Sequence, residues 1–122
     1  MGIDVLIVDD LTFIKMVLRD LVEKAGFRVV GEASDGEEAL RLFHEKHPDV
    51  VLLDVTMPKM DGLTALKKML EADPNAKVIM CSALGQQRLI VQAIQLGAKD
   101  FIVKPFRPER VITSIKKILN IQ

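Results

Sequence analysis

VVLLDVTMPKMDG, residues 50–62, decides the fold. An unbroken apolar run at 50–53 ends in a single carboxylate, Asp54. Pro48 precedes the run, and a turn containing Pro58 and Gly62 follows it. A short apolar run bounded in this way reads as a strand buried on both faces. Asp54 then stands at the carboxyl end of a central strand, the edge where open α/β sheets collect their ligands.

The same alternation extends in both directions. Residues 3–8 read as a first strand that ends in Asp9-Asp10. A helix over 12–25 follows, with Ile14, Val17, Leu18, Leu21, Val22 and Ala25 on one face and Gly26 as its stop. Residues 28–33 form a second strand. Asp35 caps the next helix, with Glu38 in the capping-box position and Ala39, Leu40 and Phe43 facing inward. After the 50–53 strand, Leu63, Leu66, Met69 and Leu70 mark a third helix. Residues 77–81 form a strand leading to Ser82. A fourth helix carries Leu89, Ile90, Ala93, Ile94 and Leu96 and stops at Gly97. Residues 100–103 make the last strand, and Lys104-Pro105 follows. Pro108 opens a final helix with Val111, Ile112, Ile115, Ile118 and Leu119 as its stripe. Repeated strand-helix alternation predicts a doubly wound α/β fold with right-handed crossovers. The expected architecture is a five-stranded parallel sheet in order 2-1-3-4-5, covered by helices on both faces, with its crevice between strands one and three.

Length and composition agree. The 122 residues suffice for one domain with a core, so 1–122 is expected to be a single domain. Hydrophobic content of 49% beside 28% charge is that of a water-soluble protein. Zero formal net charge gives no electrostatic pull toward nucleic acid or an anionic membrane. No run is long and apolar enough to cross a bilayer, and no signal-peptide layout opens the chain. Cys81 is the only cysteine, which fits a reducing cytosol. A cytoplasmic monomer is the expectation.

The strand ends place chemistry together. Strand one ends at Asp9 and Asp10, strand three at Asp54, strand four at Ser82 and strand five at Lys104. Carboxylates held this close repel one another unless a pKa rises or a cation binds. Oxygen ligands on a rigid edge suit Mg²⁺. A metal, an ammonium and a hydroxyl around one carboxylate are the equipment of phosphoryl transfer to Asp54 as nucleophile.

LIVDD at 6–10, DVTMPKMDG at 54–62, CSA at 81–83 and DFIVKPF at 100–106 resemble the receiver domain of two-component response regulators over nearly the whole chain. The resemblance implies a phosphoprotein in which Asp54 takes its phosphoryl group from a sensor histidine kinase. It implies Mg²⁺ on the Asp10 and Asp54 side chains and the Thr56 carbonyl, with Asp9 acting partly through water. Ser82 and Lys104 would bind phosphoryl oxygens, and the Lys104–Pro105 peptide would be cis. CSALGQQ, GAKDFIVKPF and the short chain further resemble stand-alone chemotaxis regulators of the CheY type. That resemblance implies a flagellar motor switch protein and a phosphatase as partners. Phe101 stands at the family's switch aromatic, where many members carry Tyr, and Ser82 stands where Thr is also common. Movement of Ser82 toward a phosphoryl group would let Phe101 turn inward and change the face made by helix four, strand five and helix five.

Other residues admit plainer readings. Phe13 and Met16 lie off the first helix's apolar stripe and suit either kinase docking or ordinary exposure. His44 and His47 are more in keeping with a helix end than with a metal pair. Cys81 reads as a small core residue, and Lys67-Lys68 and Lys116-Lys117 as solvated faces, the second pair also able to tune the output surface. Among competing functions, a haloacid-dehalogenase-type phosphatase lacks its second acid in Asp54-Val55-Thr56. A flavodoxin-like carrier would set a flavin phosphate against Asp9-Asp10. A truncated DNA-binding regulator and a phosphate sink remain open within the family.

Overall fold

The structure is a computed structural model that describes residues 2–122. Strands β1 (Asp4–Val8), β2 (Arg28–Ala33), β3 (Val50–Asp54), β4 (Val78–Ser82) and β5 (Asp100–Val103) form one sheet in the order β2-β1-β3-β4-β5, with every neighbouring pair parallel. Between and after them run α1 (Thr12–Lys24), α2 (Gly36–Lys46), α3 (Gly62–Ala72), α4 (Gln87–Leu96) and α5 (Pro108–Leu119).

Period-two alternation in β3 divides the interior into two cores. Val51 and Leu53 point to one face, against Phe43 of α2, Leu66 and Met69 of α3 and Ile90 of α4. Val50 and Leu52 point to the other, against Leu18 and Val22 of α1 and Val111 and Ile115 of α5. Burial on both faces is why the run lacks polar residues before Asp54.

Local chemistry sets the helix ends. The Asp35 carboxylate accepts the Glu38 N–H at 2.9 Å. Glu38 reaches past the cap to the Ser34 N–H at 2.8 Å, one residue further back than a simple capping box. Asp61 caps α3 by accepting the Thr64 N–H at 2.8 Å. Gly26 and Gly97 follow α1 and α4 with φ of 91° and 125°, conformations that favour glycine. Ala25 is the cap of α1 rather than a buried residue of its stripe.

Helical cover is incomplete at one edge. In β5 Asp100 and Ile102 point inward while Phe101 and Val103 point out, each 38% exposed. On α4 only Ile90 and Ala93 are buried, and Ile94 and Leu96 of the expected stripe are exposed. β5 is the last strand, so among the described residues nothing lies beyond it for that side of α4 to pack against. The two elements leave an apolar groove of about 440 Å³ between them.

Candidate functional site

The carboxyl ends of β1, β3, β4 and β5 bring the chemistry-bearing residues to one edge. Asp9 is fixed twice: its N–H donates to Ala33 O at 3.0 Å, and its Oδ1 accepts the Leu11 N–H at 2.9 Å. Asp54 is the last residue of β3, in register with Cys81 of β4. Asp9, Asp10 and Asp54 each offer a carboxylate oxygen within 4.8 Å of the others. Lys104 Nζ lies 2.9 Å from Asp9 Oδ2 and 3.5 Å from Asp54 Oδ1. The Lys104 backbone is held by its N–H donating to Ser82 O at 2.8 Å, and the Lys104–Pro105 peptide is cis. Thr56, two residues past Asp54, is exposed at the rim, whereas Ser82 is buried at the end of β4.

Electrostatics here are unbalanced. Three carboxylates face one ammonium, a deficit of two charges when all are ionised. Burial, then the nearby Asp9 charge, pushes the Asp54 carboxyl up to about 6, although Lys104 pulls the other way. For Lys104, burial alone would lower the pKa, but the Asp9 and Asp54 carboxylates outweigh it and hold the ammonium above its ordinary value. Asp9 Oδ2 is fully buried, and among the described residues no donor is aligned on it for a hydrogen bond, even with the ammonium close by. A buried, unsatisfied oxygen among crowded acids fits a small divalent cation. Asp9, Asp10 and Asp54 supply hard oxygen donors of the kind Mg²⁺ takes.

Other candidates lie elsewhere. Phe13 and Met16 are exposed on α1, with Leu11 beside them. His47 is the left-handed cap of α2, and the His44 ring packs edge-on against Phe43 at 5.6 Å. Among the described residues, neither histidine belongs to a cluster able to hold a metal. Cys81 is buried, and burial drives its thiol pKa up, so it is an inert core residue. Lys67 and Lys68 are exposed, but Lys117 is not merely solvated, since its Nζ lies 3.4 Å from Asp100 Oδ2.

Two arrangements escape a reading of the sequence. Asp100 pairs with both Arg110 amino nitrogens at 3.1 Å and accepts from Ser114 Oγ at 2.7 Å, tying β5 to α5. Gln86 accepts the Ala83 N–H at 2.7 Å and donates to Thr56 Oγ1 at 2.9 Å, joining the loop after β4 to the loop after β3. The i, i+10 and i, i+14 spacings across a strand-helix connection have no periodic signature. Nor does a lone Gln in a loop.

Comparison with known proteins places this geometry. Residues 5–116 match the model of the response regulator receiver domain. The chain is 52% identical to the chemotaxis protein CheY of Thermotoga maritima, over 97% of this chain and 98% of that protein. It is 53% identical to the chemotaxis protein CheY of Bacillus subtilis, over 95% and 97%. A chain in the crystal structure of the CheX-CheY-BeF3-Mg complex from Borrelia burgdorferi superposes with a TM-score of 0.91 at 42% identity, covering 96% of this chain and 89% of that one. Sheet order, acidic cluster and sequence agree, and the chain belongs to the response regulator receiver domain family, among relatives of the CheY type.

Proposed function

We propose that this protein is a phosphorylation-driven signalling switch of a chemotaxis two-component system, and that Asp54 is its phosphoacceptor. The observation that carries the reading is the meeting of the Asp9, Asp10 and Asp54 carboxylates with the Lys104 ammonium at one sheet edge. The Asp10 and Asp54 side chains and the Thr56 carbonyl would hold Mg²⁺, with Asp9 acting partly through water. When bound, Mg²⁺ supplies positive charge that lets carboxylates and phosphoryl oxygens share one site.

The chain's own residues do the remainder. An Asp54 oxygen forms a bond to phosphorus as the P–N bond of a kinase phosphohistidine breaks, and the imidazole leaves with a proton from solvent. Lys104 and Ser82 hold phosphoryl oxygens. Water later displaces Asp54 and releases inorganic phosphate, so the chemistry is self-directed. Phe101, beside the groove between α4 and β5, carries the change to the α4-β5-α5 face.

Partners follow the relatives' pattern: a sensor histidine kinase, a flagellar motor switch protein and a phosphatase. A CheX-CheY complex among the similar structures supports a separate protein acting on the phosphorylated form. The test is incubation with Mg²⁺ and acetyl phosphate, read by intact mass. Wild type gains one phosphoryl mass; Asp54→Ala gains none. Failure of the wild-type protein to gain mass at saturating donor and metal sinks the reading.

A further inference from the structure

The Gln86 side chain holds an unusual post. Its Oε1 accepts the Ala83 N–H at 2.7 Å, and its Nε2 donates to Thr56 Oγ1 at 2.9 Å. Only one orientation of the amide satisfies both partners, because flipping it would set two donors face to face. Gly85, with φ of 90°, turns the chain so that Gln86 folds back over the loop. Gln86 makes no side-chain hydrogen bond to the start of α4, although it stands at the cap position. Both of its partners flank the acceptor: Thr56 lies two residues beyond Asp54, and Ala83 follows Ser82 at the end of β4. Ser82, Ala83 and Gln86 also line the groove that Phe101 borders.

We propose that Gln86 is a positioning residue that latches the two acceptor loops together in the unphosphorylated protein and releases them when a phosphoryl group arrives. Its amide oxygen occupies the Ala83 N–H, the first backbone donor after Ser82. A phosphoryl oxygen on Asp54 competes for that donor with an acceptor the chain already carries. Charged acceptors form the stronger hydrogen bonds, so the phosphoryl oxygen displaces the neutral amide. Loss of the Ala83 bond frees Gln86 from Thr56, and the mouth of the groove changes with it. The latch thus opposes phosphoryl binding and couples the acceptor to the α4-β5 face. This inference rests on Asp54 being the acceptor.

Wild type and Gln86→Met are compared, methionine keeping the length of the side chain without its amide. The probe is beryllofluoride in saturating Mg²⁺, read by titration, with Mg²⁺ affinity measured separately. Removing a competitor worth one hydrogen bond should tighten beryllofluoride binding about fivefold, with Mg²⁺ affinity unchanged. The Ala83 amide proton should move upfield in unliganded Gln86→Met. In wild type the Gln86 side-chain NH₂ resonances should shift when beryllofluoride binds. Equal or weaker beryllofluoride binding by Gln86→Met overturns the latch. So does an Ala83 amide unmoved by the substitution, or a Gln86 NH₂ signal unmoved by the probe. No beryllofluoride binding by wild type overturns the acceptor reading itself, and the latch with it.

Discussion

Asp54 has a pKa of about 6, against an ordinary aspartate value of 3.8, and this dictates how the metal-free protein responds to pH. At this group the folded state keeps a proton that the unfolded chain has lost, so its contribution to stability falls as pH rises from 3.8 through about 6. At 1.36 kcal/mol per pK step, the full loss is about 3 kcal/mol. Asp54→Asn carries no such charge. In chelator above pH 6.5 it should therefore be about 1–3 kcal/mol more stable than wild type by urea melts. That gain should vanish near pH 4 and shrink when Mg²⁺ is added. A variant less stable than wild type at pH 7.5 in chelator would show that Lys104 already neutralises the cluster. Mg²⁺ affinity should weaken as pH drops below about 6, since a protonated Asp54 is a poor ligand, and calorimetric titration at two pH values measures it.

Among the elements, β5 and α3 are held by contacts of opposite kinds. Burial alone would raise the Asp100 pKa, but hydrogen bonds from Arg110, Ser114 and the Phe101 N–H outweigh it and hold the carboxylate well below its usual range. A depressed carboxylate stabilises above its unfolded pKa, and that contribution is lost as pH falls through the folded value. Asp100→Asn should cost about 2 kcal/mol at pH 7, less than a fully buried pair because Arg110 is half exposed. The difference from wild type should narrow below about pH 4, and urea midpoints at pH 7 and pH 3 test it. α3 instead depends on a missing side chain. A Cβ on Gly62 would sit 2.0 Å from the Asp54 carbonyl oxygen, a backbone atom that cannot yield. Gly62→Ala should therefore lower stability by about 3 kcal/mol or more and impair phosphoryl acceptance, while Gly2→Ala, which meets nothing within 4 Å, should do neither.

For the molecule as a whole, the proposed function makes the uncovered edge between α4 and β5 the place where a change at Asp54 would become readable. Arg110 also donates to Phe101 O at 2.6 Å, so the β5 backbone is pinned while the Phe101 ring, 38% exposed, borders open space. Such a ring can turn without moving the strand. In protein labelled with fluorophenylalanine, the Phe101 fluorine signal, assigned by its loss in Phe101→Leu, should shift when beryllofluoride and Mg²⁺ bind. Phe101→Ala should still accept phosphate from acetyl phosphate. A signal indifferent to the probe rules out ring movement as the output.

The fold was legible because its signals are local. The run at 50–53, the Asp35 cap and Pro108 each act within a few residues, and parallel pairing with right-handed crossovers leaves few topologies. The acidic edge was legible for the same reason, since β-strand ends are marked in the chain and the topology gathers them. What no local pattern carries is relation across elements. The Asp100–Arg110–Ser114 tie, the bridge from Gln86 to Thr56 and the bare flank of α4 exist only once strands, helices and loops have packed. Side-chain hydrogen bonds between distant residues and the cover an edge strand lacks are properties of the assembled sheet, so tertiary structure alone decided them.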